Sequence, residues 1–426
     1  MKVHYTTYGC KVNYCDTEAI AALMKDLGFE RTDDLAGADI EILNSCTVTE
    51  NANKRVRAAL RQAKRANPEI ITVLCGCYSQ VYHKEASAIE QADIVTGNAS
   101  REDIPKLISD YLEKDSKVFS HLPHVKGETF ELLPQGKETD HTRAFLKVED
   151  GCNRFCRYCI IPYARGPIRS INLAEIVARS RMLRESGYKE IVLTGINLAM
   201  TGTDRGYTIA DAVKAVSDSG VDRIRVSSLE PDLITEPVMA ELSGIRGFCP
   251  QFHMSLQSGC DRTLRNMGRR YTSSEYSGIV DKVRSYFDDP TFTTDVIVGY
   301  PGESEEDFID SLRFVEKLGF LKVHVFPYSQ RPGTPAAVMD GQIPKNIKSL
   351  RVTTLSEACE VSRSAIISSY IGKEVSILTE QLKKGWWHGY TERYIPVRIK
   401  ASENITQNMI ITAKGSHVEG GVLVLE

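Results

Sequence analysis

Three cysteines occur within one short stretch, Cys152-Asn-Arg-Phe-Cys156-Arg-Tyr-Cys159. Their thiolates can hold one iron–sulfur cluster from a single loop, and such clusters usually have four cysteine ligands. Three protein ligands would leave one iron open for an exogenous ligand, just as a catalytic zinc ion keeps an open position. Zinc itself is the alternative. It usually takes paired Cys-x-x-Cys or Cys/His sets, and because no second half of such a set lies nearby, the spacing favours an iron–sulfur cluster.

A second set consists of Cys10, Cys46 and Cys77, which each stand at or just past the carboxyl end of a predicted strand. In an open parallel sheet these ends meet at one edge, where ligands bind. Three cysteines that are distant in sequence can therefore meet there and hold a second cluster, again with one iron open. A buried cysteine can instead pack as a small hydrophobic residue. We expect packing for the remaining cysteines, which are Cys15, Cys75, Cys249, Cys260 and Cys359.

The composition is that of a soluble globular protein, with 42% apolar and 26% charged residues among 426. This length suggests two or three domains. No stretch approaches the roughly 18 apolar residues of a membrane span. The first residues contain no apolar run of signal-peptide length, so we expect a cytoplasmic protein. In a reducing compartment, an odd count of 11 cysteines indicates metal ligation or catalysis rather than a disulfide framework.

The strands and helices that must position these cysteines alternate along the chain in two βα series. This alternation predicts an α/β fold. The first series predicts a small parallel sheet with helices on both faces. The second has six strand candidates and predicts a complete or partial (β/α)6 barrel with its chemistry at the strand ends. The last fifty-odd residues are β-rich and predict a small β-barrel. The predicted boundaries are 1–115 for the first domain, 116–142 for a linker, 143–335 for the barrel, 336–366 for a helical connection and 367–426 for the terminal β-barrel.

The cysteine loop resembles the signature of the radical S-adenosylmethionine (SAM) superfamily, and longer stretches resemble its methylthiotransferases. Those stretches span nearly the whole chain and include TYGCKVN, NSCTVTENA, GCYSQ, GCNRFCRYCIIPYARGPIRS, SLQSGCDRTLRNMGRRYT and TTDVIVGYPGE. The resemblance implies two [4Fe–4S] clusters with SAM as the further cofactor. It also implies an N-terminal domain with the auxiliary cluster, a radical SAM barrel, and a terminal β-barrel, called TRAM, that binds RNA. In the family, one SAM provides the methyl group on sulfur and a second provides the radical that activates a C–H bond.

Cofactor contacts follow from the resemblance for residues of the central region. Tyr158 holds the aromatic position before the third cysteine of the loop, where the family packs a side chain near the adenine of SAM. The other implied SAM contacts lie at strand ends, although a glycine there can also serve only the turn. They are Gly195, Gln257, Asp295 and Val298.

The motif Gly9-Cys10-Lys11-Val12-Asn13 resembles the branch that methylthiolates C2 of N6-threonylcarbamoyladenosine at tRNA position 37. The alternatives are isopentenyladenosine of tRNA and an aspartate of a ribosomal protein. A rival from another class is a non-catalytic iron–sulfur or zinc-bearing RNA-binding protein, which the intact cysteine loop and the predicted barrel disfavour. The implied partners are the tRNA anticodon stem-loop and an electron donor such as flavodoxin or ferredoxin.

Basic residues are concentrated in two places that could contact tRNA. One predicted helix carries cations with no acidic residue between them, which is typical of phosphate binding, although a solvated helix face has the same pattern. The terminal barrel interleaves cations with aromatic residues, which suits unpaired bases, although the aromatic residues could equally fill its core. The candidates are Lys54, Arg55, Arg57, Arg61, Lys383, Trp386, Trp387 and Arg393.

Overall fold

The computed structural model describes residues 1–48, 50–136 and 142–426 of the chain. Contacts group the described residues into two compact units. The first unit contains those within 1–138, 149–171 and 329–337, and the second contains those within 139–148, 172–328 and 338–426. Since these interleaved units are defined by contacts in space, the domain boundaries given above stay predictions.

The N-terminal region forms the parallel α/β sheet that the sequence predicts. Its elements are β1 (Lys2–Thr7), α1 (Lys11–Asp26), β2 (Glu30–Arg31), β3 (Ile40–Ser45), α2 (Glu50–Ala66), β4 (Ile71–Gly76), α3 (Cys77–Val81), α4 (His83–Ser87), β5 (Ile94–Val95), α5 (Ile104–Lys114) and β6 (Val118–Phe119). The strand order is β2-β1-β3-β4-β5-β6. Strands β3 and β4 are wholly buried, as parallel strands covered on both faces should be. Alternation divides their side chains between two cores, with Ile42 and Val73 in one and Leu43 and Leu74 in the other.

The segment predicted as a linker contributes to this packing. Its strand β6 pairs in parallel with β5 through Ile94 and Val118. Farther along, Phe130 and Leu133 are each only 7% exposed, and Leu133 belongs to the same hydrophobic core as β3 and β4. The apolar residues of this segment are too scattered to show a helical or strand period, which is why the sequence indicates only an extended connection.

The central region continues with parallel strands that follow one another in order. Its elements are β7 (Ala144–Lys147), β8 (Glu149–Asp150), α6 (Ile161–Arg165), β9 (Arg169–Ser170), α7 (Leu173–Glu185), β10 (Glu190–Thr194), α8 (Ile209–Ser217), β11 (Arg223–Val226), β12 (Ser228–Leu229), α9 (Glu236–Ser243), β13 (Gln251–Met254), α10 (Asp261–Met267), α11 (Ser273–Tyr286), β14 (Thr291–Val298), α12 (Glu305–Leu318) and β15 (Lys322–Pro327). Two parallel sheets, β7-β10-β11 and β12-β13-β14-β15, contain the predicted barrel strands. The predicted α/β class is therefore confirmed. Capping boxes at Thr208, Thr272 and Ser304 begin three of the crossover helices.

The C-terminal region consists of a long helix and a closed five-stranded barrel. Its elements are α13 (Lys345–Ser368), β16 (Glu374–Lys383), β17 (Trp386–Thr391), β18 (Pro396–Lys400), β19 (Ile410–Glu419) and β20 (Val422–Leu425). The sequence predicts a small β-barrel here without indicating β17. A tight turn at Lys384 and Gly385, both with positive φ, joins this strand to β16. Among the described helices, none is both long enough and apolar enough to cross a membrane.

Candidate functional site

Cys10, Cys46 and Cys77 lie at the carboxyl ends of three neighbouring strands, β1, β3 and β4. Cys10 directly precedes α1, Cys46 follows β3, and Cys77 is the first residue of α3. Ser45 and Gly76 are paired in register, which places Cys46 beside Cys77. A Cβ atom on Gly9 would lie only 3.2 Å from the Cys46 Sγ, so the Cys10 loop runs directly along Cys46. The structure thus brings the three predicted thiols together.

Cys75 shows the opposite behaviour, although it lies only two residues before Cys77. It is wholly buried within the hydrophobic core, and its Sγ lies 3.6 Å from the Leu43 carbonyl oxygen. Cys75 lies within β4 and packs on the same face as Val73, whereas Cys77 stands past the end of the strand. The structure therefore distinguishes the two cysteines in the way that the sequence predicts.

Burial makes the Cys46 thiol costly to ionise unless a cation compensates the charge. Burial, together with the neighbouring Cys77 and Cys10 thiols, raises the pKa of Cys46 to about 12. Since thiolates are the form that binds metal, iron would supply the missing positive charge and displace the protons. The chemistry of this donor set fits a cluster with three cysteine ligands.

The loop that carries Cys152, Cys156 and Cys159 is closed by backbone contacts. The amide of Cys152 donates to the Gly166 carbonyl at 3.0 Å, and the amide of Cys159 donates to the Cys156 carbonyl at 2.9 Å. Gly151, with φ of +91°, permits the close return of the chain, since a Cβ there would lie 2.0 Å from the Pro167 carbonyl oxygen. The three thiols therefore lie on one compact loop, as their spacing predicts.

Arg165 links this loop to the first set of cysteines, and the two sets belong to the same compact unit. Its side chain is fully buried in α6 and donates to the Asn13 Oδ1 at 2.5 Å. The same Oδ1 lies 3.9 Å from the Cys10 Sγ and 3.7 Å from the Cys77 Sγ. One buried guanidinium thus holds the asparagine that contacts two of the thiols.

Asn98 makes a second link between the same parts of the unit. Its Nδ2 donates to the Cys77 Sγ at 3.4 Å and to the Ala164 carbonyl oxygen at 3.1 Å. The Asn98 side chain is 2% exposed. Sequence reasoning did not select Asn13, Asn98 or Arg165 as site residues. One feature of the sequence could have indicated them as site residues, namely a polar side chain close to a cysteine or to a strand end.

Two buried aspartates balance the charge of Arg165. Its Nη1 lies 2.9 Å from an Asp16 oxygen and 3.0 Å from an Asp150 oxygen. Arg101 contacts the same carboxylates at 2.6 and 3.5 Å, and it also pairs with Glu131 at 2.6 Å. Although burial disfavours its charge, the carboxylates raise the pKa of Arg165 well above its ordinary value. Both arginines therefore remain charged inside the unit.

The residues implied as SAM contacts belong to different parts of the fold. Tyr158 lies within the cysteine loop of the first unit and is half-buried, whereas the others lie in the second unit. There Gly195 follows β10, and Val298 ends β14. Gln257, at φ of +69°, crosses to β14, where its amide donates to the Asp295 carbonyl at 2.8 Å. The structure thus brings Gln257 and Asp295 together, and the roles of these residues stay predictions.

The predicted RNA contacts on α2 form an exposed basic face. Lys54, Arg55, Arg57 and Arg61 are exposed, whereas Val56 and Leu60 of the same helix are buried. Arg55 lies over the Tyr8 ring, and Arg57 donates to the Tyr78 hydroxyl at 3.2 Å. This arrangement keeps the cations at the surface of the first unit.

The candidates in the terminal barrel have mixed environments. Lys383 is exposed, and half-buried Trp386 packs against the Arg398 guanidinium, which lies 4.7 Å from the ring centroid. Trp387 donates to the Ile405 carbonyl at 3.0 Å, and Arg393 pairs with Glu392 at 2.6 Å and Asp288 at 3.5 Å. Structural contacts therefore already engage Trp386, Trp387 and Arg393, while Lys383 is exposed.

Comparisons with known proteins agree with this arrangement. Residues 2–97 match the family described as "Uncharacterized protein family UPF0004". Residues 146–315 match the radical SAM superfamily, and this range includes the loop with Cys152, Cys156 and Cys159. The two matched ranges contain both cysteine sets.

Characterised relatives are similar over almost the whole chain. The threonylcarbamoyladenosine tRNA methylthiotransferase MtaB of Bacillus subtilis is 37% identical, over 96% of this chain and 92% of the relative. The enzyme with the same name from Aquifex aeolicus is 36% identical, over 93% of this chain and 96% of the relative. A tRNA-2-methylthio-N(6)-dimethylallyladenosine synthase of Staphylococcus aureus is 33% identical, over 95% of this chain and 80% of the relative.

Among solved structures, the radical SAM methyltransferase TsrM of Kitasatospora setae has a similar fold. The TM-score is 0.59 at 13% identity, over 79% of this chain and 74% of that one. At this identity the likeness concerns the fold alone. The similarity to the two MtaB enzymes, in contrast, covers more than nine-tenths of this chain. The chain therefore belongs to the radical SAM tRNA methylthiotransferases, in the threonylcarbamoyladenosine branch of that family.

Proposed function

We propose that this enzyme adds a methylthio group to C2 of N6-threonylcarbamoyladenosine at position 37 of tRNA. The observation that carries this proposal is the presence of two three-cysteine sets in one compact unit. One set suits SAM cleavage, and the other suits delivery of sulfur. The choice of adenosine rests on the 36–37% identity to two enzymes named for threonylcarbamoyladenosine.

The enzyme uses SAM and [4Fe–4S] clusters, as its family membership requires. We assign one cluster to Cys152, Cys156 and Cys159, because the spacing of these three cysteines matches the superfamily motif. The second cluster is assigned to the set at the sheet edge, which consists of Cys10, Cys46 and Cys77. When bound, one cluster would supply the electron that cleaves SAM, and the other would present the sulfur that is transferred. Each set has three thiols, which leaves one iron of each cluster open for that chemistry.

The chain's own residues orient these thiols. Arg165 holds Asn13 against Cys10 and Cys77, and Asn98 donates to Cys77. Hydrogen bonds to ligand sulfur are a recognised way in which a protein tunes a cluster. Asn98 can donate such a bond to a Cys77 thiolate, whereas the Asn13 oxygen accepts only from the protonated Cys10 and Cys77 thiols. The two asparagines therefore position Cys10 and Cys77 before iron binds.

For SAM, the proposed contacts are Tyr158 in the cysteine loop together with Gly195, Gln257, Asp295 and Val298. Asp295 is suited to accept hydrogen bonds from a ligand, because its carboxylate is partly exposed and oriented by the His253 Nε2 at 3.3 Å. The positive φ of Gln257 turns its backbone towards β14 at the end of the barrel strands. These features support a binding role at the edge where barrel enzymes carry their chemistry.

We also propose that the anticodon stem-loop is the part of tRNA that binds. The exposed cations of α2 suit its phosphates, and the terminal barrel offers Lys383 and Trp386 to unpaired bases. An electron donor such as flavodoxin or ferredoxin would reduce the cluster. Since tRNA and these donors occur in the cytoplasm, we place the enzyme there.

Iron content tests the assignment of the cysteines. Anaerobically reconstituted wild type should contain about eight irons, and a triple alanine variant of Cys152, Cys156 and Cys159 about four. Cys46→Ala should retain SAM cleavage and lose sulfur insertion. Cys75→Ala is the matched control, because this neighbouring cysteine lies in the core and should leave both activities intact. Normal methylthio product from the Cys46 variant would refute the two-cluster assignment.

The substrate is tested with purified tRNA that carries either N6-threonylcarbamoyladenosine or isopentenyladenosine at position 37. Mass spectrometry of nucleosides should find the methylthio group on the threonylcarbamoyl form only. Selective reaction with isopentenyladenosine would reassign the branch. If both tRNAs stay unmodified and a ribosomal-protein aspartate is methylthiolated instead, the enzyme belongs to the ribosomal-protein branch.

A further inference from the structure

Phe155 has an unusual environment for a large apolar side chain. It lies inside the cysteine loop, between Cys152 and Cys156, and it is 56% exposed. Its backbone has φ of +50°, in the left-handed region that bulky residues rarely occupy. Both the exposed ring and the backbone are unfavourable for folding, so an aromatic side chain at this position requires a functional explanation.

Tyr163 extends this exposed aromatic surface. It lies in α6, close behind the cysteine loop, and it is 48% exposed. The Phe155 and Tyr163 ring centroids are 5.8 Å apart, and the rings meet edge to face at 79°. In this arrangement the rings support each other while a ring face stays available for a flat ligand. We call Phe155 and Tyr163 the aromatic platform.

The aromatic platform lines a cavity of about 720 Å³ that belongs wholly to the first unit. This volume lies within the range of small-ligand pockets, roughly 300–1,000 Å³. His83 and His121 line the same cavity, with their rings stacked at a centroid distance of 4.1 Å. Burial lowers the pKa of His83, which favours its neutral ring. Flat rings therefore line this cavity.

Cations lie at the rim of this cavity. Lys126 lines it and is exposed. Glu85, another lining residue, forms an ion pair with Arg57 at 3.9 Å, so the basic face of α2 borders the cavity. Rings inside and cations at the edge match the chemistry of a single-stranded nucleotide, whose base stacks while its phosphates contact basic residues. A protein partner would not require the stacked rings.

We propose that the aromatic platform binds the base of an unpaired tRNA nucleotide that flanks the modified adenosine. This inference rests on the proposed function, because it takes tRNA as the substrate. Since Phe155 is part of the cysteine loop, a base stacked on it also orders that loop when the substrate is present. The platform therefore couples substrate recognition to the site of radical chemistry.

The test uses the reconstituted full-length enzyme and an anticodon stem-loop with 2-aminopurine at either nucleotide beside the target. Tyr163→Ala and Phe155→Asn should each weaken binding and raise KM by about 5- to 140-fold, the range for losing one base–aromatic stack. They should also abolish the quenching of 2-aminopurine at one flanking position. Asparagine is chosen at 155 because it tolerates the left-handed backbone while it removes the ring.

Three controls separate stacking from damage to the loop. Tyr163→Phe should bind as wild type, because the ring is retained. Tyr286→Ala removes an exposed tyrosine of the second unit, 37% exposed, and should change nothing. Iron content and SAM cleavage without RNA should be unchanged in Tyr163→Ala.

Unchanged affinity and quenching in both platform variants would overturn the proposal, while normal methylthiolation would leave the proposed function intact. Slower cluster reduction by flavodoxin with unchanged RNA affinity would also overturn it and would assign this surface to the electron donor. If the wild-type enzyme binds no stem-loop and modifies no tRNA, the proposed function itself fails, and the platform proposal fails with it.

Discussion

Replacement of Arg165 by methionine should destabilise the first compact unit by several kcal/mol. The side chain is fully buried, and its Nη1 lies 2.9 Å from Asp16 and 3.0 Å from Asp150. Removing one partner of a buried ion pair costs about 3–5 kcal/mol, because it leaves an uncompensated charge. Arg101 still contacts Asp16 at 2.6 Å, so we expect the lower half of that range.

The free energy of unfolding should be measured by urea denaturation, together with the rate of iron release from the reconstituted protein. Because Arg165 also holds Asn13 against two thiols, iron should leave the variant faster. Lys282→Met is the control for a lost positive charge. It breaks an exposed ion pair with Glu236 of 2.6 Å, and solvent-exposed pairs of this kind add little to stability.

A double-mutant cycle with Asp16→Asn separates the ion pair from general packing. If the guanidinium–carboxylate contact carries the stability, the double variant should be more stable than the sum of the single losses predicts. An Arg165→Met variant within about 0.5 kcal/mol of wild type, the level expected of an ordinary surface substitution, would refute the reasoning. Strict additivity in the cycle would refute it as well.

Two further changes test other parts of the first unit. Asn98→Ala removes the hydrogen bond to the Cys77 Sγ, so iron should leave the sheet-edge set faster. Iron release should be measured in the triple alanine background of the loop, and an unchanged rate would show that Asn98 does not support this cluster. His4 contacts Glu41 at 2.5 Å, and this hydrogen bond raises the pKa of His4. Wild type should therefore be more stable than His4→Gln below pH about 6.5 and lose this advantage as pH rises through the raised folded-state pKa. An equal difference in unfolding free energy at pH 5.5 and 8.5 would contradict this expectation.

Local pattern was sufficient to predict the α/β class and both cysteine sets. The ligands of the loop are adjacent in sequence, so their spacing alone indicates one site. Cys10, Cys46 and Cys77 are far apart, but the carboxyl ends of parallel strands meet at one edge, and this rule predicts their convergence. The difference between Cys75 and Cys77 follows from their positions, because Cys75 lies within β4 whereas Cys77 stands past its end.

Other features depended on contacts between distant residues. The sequence did not indicate β17, because its aromatic residues suit both a barrel wall and an RNA-binding surface. In the structure, the turn at Lys384 joins this strand to β16. The predicted linker packs through scattered apolar residues such as Leu133, which have no period of their own.

Only the tertiary structure decided the role of Arg165. Nothing in the neighbouring sequence separates an arginine that contacts phosphate from one that is buried. Asp16, Asp150 and Asn13 determine its position, and Asn13 lies 152 residues away along the chain. A charge can be buried only where several partners meet it, and such a meeting is a property of the folded chain. The sequence by itself thus determined which cysteines form the two predicted sets, and the tertiary structure decided which side chains surround them.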